Sequence, residues 1–165
     1  MPSADIEQVL ALLAETPQRL AALAQEYAPA QLQTTPDQDT WSANAILAHL
    51  RSCADVWGKI IQAMLAEDNP TLRYISPRTW IRKTKYLNQD FQASFQVFAQ
   101  QRAELLAALN GLAAEDWARA AIFTGTVSGR NQTVFSYAQR IAEHERPHLD
   151  QMKSVLSTVA GPAKE

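Results

Sequence analysis

The three histidines of this chain lie on the apolar faces of predicted helices. His144 and His148 are four residues apart, so on a helix they are neighbours on one face and can bind one ion together. His49 lies within the apolar segment 45–50 of another predicted helix and is the third candidate ligand. Neutral imidazole is the commonest metal ligand in proteins, and three imidazoles leave coordination positions open for water or substrate. The sequence therefore predicts a divalent metal site formed by His49, His144 and His148.

Four residues beside these histidines bear on the chemistry. Cys53 follows His49 by four residues and is a conceivable fourth ligand, but we favour an inert core cysteine because free cysteine is among the most buried residue types. Glu143 and Glu145 flank the first histidine of the pair, and their helical phase predicts surface carboxylates rather than a general base. Pro147 lies between the two paired histidines and predicts a bend there, because it removes a hydrogen bond to the Glu143 carbonyl.

The first two predicted helices precede and contain His49. Apolar residues recur at three-to-four spacing over residues 4–27, with a kink expected near Thr16 because proline follows it. Residues 28–40 contain proline, aspartate and threonine, which is typical of a connector. Ser42 is the predicted N-cap of a second helix that continues to about residue 66.

The last two predicted helices are separated from these by irregular segments. The third helix is firm over 88–109, includes Leu87 on its apolar stripe, and has a possible earlier start at Ser76-Pro77. Residues 121–124 and 126–128 have the composition of a short hairpin. The fourth helix begins at Thr133 and carries both paired histidines on its apolar stripe.

The connection between the second and third helices is long and basic. About twenty residues exceed what a tight antiparallel turn needs, so these two helices are predicted to run parallel with a crossover between them. Its cations and its aromatic residues Tyr74, Trp80 and Tyr86 suggest either a crossover that packs onto the bundle, which we favour, or an anion-binding rim. Four long helices without internal repeats predict an all-α four-helix bundle.

Size and charge exclude several classes of function. The 165 residues fit a single domain, 1–165, that is large enough to bury a core. A net charge of −2 provides no overall attraction to phosphate, so we expect no nucleic-acid partner. The first five residues lack the basic start and the apolar run of a signal peptide, no apolar stretch is long enough to cross a bilayer, and the one cysteine fits a reducing compartment. We expect a cytoplasmic protein without a membrane partner.

The chain resembles the DinB-like superfamily of metal-binding bundles, also called damage-inducible or YfiT-like. The matching residues lie in the second helix, the fourth helix and the segment between them: Trp41-Ser42, Ile46–Leu50, Asp55, Arg102, Leu112–Trp117 and Ile141–Met152. The similarity spans nearly the whole chain, the two histidine segments are its specific part, and Pro147 departs from the family's pattern.

The resemblance implies a bundle with up-down-down-up topology, often a homodimer, in which His49, His144 and His148 hold a divalent ion completed by water. We expect Zn or Ni first, with Fe or Mn also compatible with three imidazoles. Known relatives include thiol S-transferases that use bacillithiol or mycothiol, a maleylpyruvate isomerase and metal-dependent hydrolases. The first hypothesis is therefore a metal-dependent thiol S-transferase acting on small electrophiles with a low-molecular-weight thiol. The alternatives are a metal-dependent hydrolase and a non-enzymatic stress protein stabilised by its ion.

Overall fold

Four long helices dominate the fold. The computed structural model describes residues 3–125 and 132–161. The helices within these ranges are α1 (Ala4–Glu26), α2 (Pro29–Gln33), α3 (Ala43–Ala66), α4 (Pro77–Ile81), α5 (Phe91–Asn110) and α6 (Val134–Ala160). The other elements are the short strands β1 (Thr71–Arg73) and β2 (Ile122–Thr124) and the 3-10 turns Tyr86–Asn88 and Ala114–Ala118. No helix in this part of the chain has both the length and the apolarity needed to span a bilayer.

The long helices form a closed bundle in which α1 and α3 are diagonally opposed. Helix α3 packs against α5 and α6, and α1 packs against the same two helices. Arg51 of α3 donates to Ser94 of α5 at 3.3 Å, and one turn later Asp55 accepts from Gln101 at 2.7 Å. Because partner numbers rise together, α3 and α5 run parallel, as the length of the crossover predicted.

The first and last helices also run parallel. Thr16 and Arg19 of α1 contact Glu145 and Asp150 of α6, respectively, so residue numbers again rise together. Helix α6 is antiparallel to α3, since His49 lies against His148 while Trp57 lies near Arg140. The bundle therefore has the up-down-down-up topology that the family resemblance implies.

The core consists of two apolar clusters, one in each half of the bundle. One contains the first half of α1 and of α6 together with the second half of α3, and the other contains the opposite halves. Between them lies a buried polar layer made by Thr16, Arg102 and Glu145. The histidine site lies at the same level of the bundle, on the side where α3 faces α6.

Helix α1 continues without interruption through Pro17. Proline has no N–H, so the carbonyl of Leu13 loses its usual partner inside the helix. Arg102 of α5 supplies the replacement by donating from Nη1 to that carbonyl at 2.9 Å. The polar layer thus supplies the hydrogen bond that Pro17 removes from α1.

The crossover between α3 and α5 contains a separate short helix, α4. The third long helix therefore does not begin early, at Ser76-Pro77. Ser76 caps α4 by accepting from the Thr79 N–H at 3.2 Å, and Pro77 occupies its first turn. Asp90 caps α5, so the predicted start at residue 88 was slightly early. The placement of Leu87 on the buried stripe was wrong: it lies in the preceding 3-10 turn and is 56% exposed.

The crossover is held against the bundle by Asp55 of α3. Its carboxylate accepts from the indole N–H of Trp80 at 2.8 Å and from the Tyr86 hydroxyl at 2.5 Å. These two aromatics therefore pack onto the bundle, as we favoured. Strand β1 pairs in parallel with β2, so the first half of the predicted hairpin joins the crossover; residues 126–128, its second half, lie outside the described residues.

Candidate metal centre

The three histidines predicted as ligands meet between α3 and α6. His49 lies in the first half of α3, where the helix faces the middle of α6. Its Nε2 is 3.0 Å from the Nε2 of His144. The ring centroid of His49 lies 5.2 Å from that of His144 and 4.8 Å from that of His148, and the two α6 rings are 4.7 Å apart.

These distances fit a shared divalent ion. With metal–nitrogen bonds of about 2.1 Å, two imidazole nitrogens on one ion lie roughly 3.0–3.4 Å apart and their ring centroids about 5 Å apart. The observed 3.0 Å and the ring separations of 4.7–5.2 Å match both expectations. Three neutral imidazoles are also the donor type that Zn and Ni prefer.

Pro147 does not separate the paired rings. Helix α6 runs through it without interruption, and His144 and His148 stay on one face. The Nδ1 of His148 is 2.9 Å from Oε1 of Gln151, a contact that orients the ring. Such partners commonly fix the tautomer of a ligand histidine, and here Nε2 would remain for an ion.

Cys53 lies at the same site, one helical turn after His49. It is buried, as expected of a core cysteine, yet its Sγ is 3.6 Å from Nε2 of His49. The potential ligand atoms of His49, Cys53 and His144 all lie within 4.8 Å of one another; His148 is not in this set, although its ring lies 4.8 Å and 4.7 Å from those of His49 and His144. The thiol is therefore part of the cluster.

The surroundings keep the imidazoles of His49 and His144 neutral. Burial lowers the pKa of His49 to about 4, with further lowering by the charges of His148, His144 and Arg78. Burial also lowers the pKa of His144, assisted by His148 and Arg140. Burial and the nearby Glu145 raise the pKa of the Cys53 thiol to about 12. At neutral pH the two histidines thus have free lone pairs, the form that binds metal.

A pocket of about 290 Å³ opens onto the cluster. Besides the histidines and Cys53, its lining comprises the aromatic side chains of Trp41 and Trp57 and the crossover residues Ser76, Pro77 and Arg78. The Trp41 ring contacts that of His49 edge-on at 5.5 Å, and Trp57 contacts His144 at 5.1 Å. The walls are thus mainly apolar, with one exposed cation at the rim.

The prediction that Glu145 is a surface carboxylate was wrong. Glu145 and Arg102 are each 2% exposed and form a two-pronged salt bridge, and Glu145 also accepts from the Thr16 hydroxyl at 2.7 Å. Glu143, in contrast, is exposed as predicted. The sequence does contain a signal for this burial. Glu145 lies four residues from both Ile141 and Leu149, so it shares a buried face of α6 with these two apolar residues.

Comparisons with known proteins agree with this architecture. The sequence model of the DinB superfamily matches residues 12–152. Among solved structures, the chain is similar to YfiT from Bacillus subtilis, described as a probable metal-dependent hydrolase with an unusual four-helix bundle topology. The TM-score is 0.78 at 17% sequence identity, and the alignment covers 94% of this chain and 88% of YfiT. No curated protein matches the sequence.

Proposed function

The chain belongs to the DinB superfamily, and from that membership and the site geometry we propose that it is a metal-dependent thiol S-transferase acting on small electrophiles. The observation that carries this proposal is the convergence of His49, His144 and His148 at the base of an open pocket. The three side chains would hold one divalent ion, with Zn or Ni as the first expectation.

A bound divalent ion acts as a Lewis acid and lowers the pKa of a thiol or water beside it. The protein itself contributes neutral imidazoles and a mainly apolar pocket wall around them. Because burial holds the pKa of His49 near 4, protons do not compete strongly with the ion at neutral pH.

The shape of the pocket favours an organic nucleophile over water alone. Its volume of about 290 Å³ accommodates a small organic molecule, and the rings of Trp41 and Trp57 offer flat apolar surface for an electrophile. Arg78 at the rim offers a guanidinium for the carboxylate of a low-molecular-weight thiol. The site thus has separate places for the two substrates.

Hydrolysis is the second candidate, because YfiT, whose fold this chain shares, is described as a probable metal-dependent hydrolase. The same three histidines would serve, with water as the nucleophile in place of the thiol. The two reactions differ in one measurable respect, which is whether turnover depends on added thiol.

The test is to load the purified protein with Zn or Ni and incubate it with bacillithiol and a chlorinated aromatic electrophile. We expect conjugate formation that His144→Ala abolishes. Lys153→Ala, an exposed change on the same helix, is the matched control and should retain the wild-type rate.

The outcomes separate the hypotheses. Conjugate at the His144→Ala level, together with ion-dependent cleavage of aryl esters without thiol, would replace the transferase by a hydrolase. A bound ion that raises the melting temperature, with neither activity, would indicate an ion that only stabilises the bundle. Failure to bind Zn, Ni, Fe or Mn would refute every metal-dependent function.

A further inference from the structure

Cys53 lies in the wall of the pocket beside the histidines. It lies one turn after His49 on the face of α3 that lines the pocket, and it is 2% exposed. Its Sγ lies 3.6 Å from Nε2 of His49, although Cys53 also belongs to one of the two apolar core clusters. The sulfur is therefore a buried part of the pocket wall beside the histidines.

The distances around Cys53 fit a coordination sphere. With bonds of about 2.3 Å to sulfur and 2.1 Å to nitrogen, a thiolate sulfur and an imidazole nitrogen that share one ion at an angle of about 90–120° lie about 3.1–3.8 Å apart. The separation between Sγ of Cys53 and Nε2 of His49 is 3.6 Å. The ligand atoms of Cys53, His49 and His144 all lie within 4.8 Å of one another.

A hydrogen bond explains this arrangement less well than an ion does. The Nε2 of His49 is approached by His144 at 3.0 Å and by Cys53 at 3.6 Å at the same time. A neutral imidazole nitrogen has either one N–H or one lone pair, so it satisfies one of these contacts and not both. An ion at the centre satisfies all three groups together.

The nearest buried carboxylate is already engaged. Glu145 accepts from two guanidinium nitrogens of Arg102 and from the Thr16 hydroxyl, so most of its lone pairs are already used. The Cys53 sulfur is then the buried donor that the protein itself offers at the site. The side of the site that faces the pocket stays open to substrate.

Building on the metal site proposed above, we propose that the Cys53 thiolate is its fourth protein ligand, giving a three-histidine, one-cysteine set that leaves a fifth coordination position for the substrate thiol or water. On binding, the S–H bond breaks, the proton passes to solvent, and sulfur donates the freed electron pair to the ion. A thiolate donor favours Zn, Ni and Co over the harder Mn and Mg. The expected cofactor is therefore a divalent ion intermediate between hard and soft, such as Zn, Ni or Co.

The test uses cobalt as a spectroscopic probe of the full-length protein. Co(II) bound by thiolate has an intense near-ultraviolet sulfur-to-metal charge-transfer band, which imidazole ligands do not produce. We expect this band in the wild type and in Lys153→Ala, and its loss in Cys53→Ser and Cys53→Ala. Losing a ligand should weaken Co(II) binding by more than about 100-fold, beyond the cost of losing a hydrogen-bonding neighbour of a ligand.

Each result has a defined meaning. Circular dichroism of the two cysteine variants controls for folding, and competition with Mn(II) checks selectivity, which should fall when sulfur is removed. Co(II) binding without the charge-transfer band, and with unchanged affinity in Cys53→Ser, would overturn the cysteine ligand and leave the proposed enzyme standing. Absence of any Co(II), Zn(II) or Ni(II) binding would overturn both.

Discussion

The buried salt bridge between Arg102 and Glu145 should be the most sensitive polar contact of the bundle. Replacing Arg102 by methionine leaves the Glu145 carboxylate 2% exposed without its cation, which typically costs about 3–5 kcal/mol. The carbonyl of Leu13 also loses its donor, because Pro17 has no N–H to replace it, at about 1 kcal/mol more. We therefore expect Arg102→Met to lower the free energy of unfolding by about 4–6 kcal/mol.

The matched control is the ion pair that joins α1 to α6 at the surface. The side chains of Arg19 and Asp150 are 32% and 75% exposed, so water screens their attraction and Arg19→Met should cost less than about 1 kcal/mol. The double variant Arg102→Met with Glu145→Leu removes both buried charges. It should recover most of the loss, because apolar side chains of similar volume replace a desolvated pair.

The measurement is urea unfolding of chelator-treated protein, followed by far-ultraviolet circular dichroism so that ion binding does not contribute. The free energies of unfolding of the wild type, Arg102→Met, Glu145→Leu and the double variant form a double-mutant cycle. Arg19→Met is measured in the same way as the control. An Arg102→Met loss no larger than that of Arg19→Met would refute the reasoning. A double variant as unstable as the sum of its single changes would refute it too.

Three further predictions concern the helices that carry the histidines. The metal-free protein should lose stability as pH falls from about 6.5 towards 4, because unfolded His49 takes up a proton that the folded residue, with its pKa near 4, does not. His144, whose pKa is also lowered, adds to this loss, so His49→Asn should reduce the slope in urea unfolding without removing it, and an unaltered slope would contradict the prediction. Ser42→Ala should cost about 1 kcal/mol in the same assay, because the Ser42 hydroxyl accepts from the first turn of α3, and no loss would count against that cap. Pro147→Ala should stabilise α6 by up to about 3 kcal/mol without changing Co(II) affinity, and a fall in affinity would show that the proline shapes the site.

The helices and their directions were predictable because their signals are local or depend only on length. The serine cap at residue 42 and the apolar spacing after it fixed α3, and the long connection indicated that α3 and α5 run parallel. The exposure of Leu87 was not predictable in this way. Its spacing suits the stripe of α5, but the Asp90 cap starts that helix later and places Leu87 in a separate turn.

The same difference between local signals and long-range packing applies to the candidate site. Two histidines at four-residue spacing bring their own rings together, whereas the arrival of His49 depends on how α3 and α6 pack. Helical phase places Glu145 on the face of Ile141 and Leu149, but its partner Arg102 is 43 positions away, so no local signal showed that a carboxylate could be buried there. The walls formed by Trp41 and Arg78 come from connecting segments, whose course apolar periodicity does not specify.

The parallel pairing of α1 and α6 has a practical consequence for protein engineering. The beginning of α1 and the end of α6 lie at opposite poles of the bundle, separated by roughly the 35 Å length of a 23-residue helix. A circular permutant would need a linker of at least about ten extended residues to join them. Fluorescent or affinity modules fused beyond the two helices would instead project in opposite directions, which leaves the side that bears the histidines clear of both.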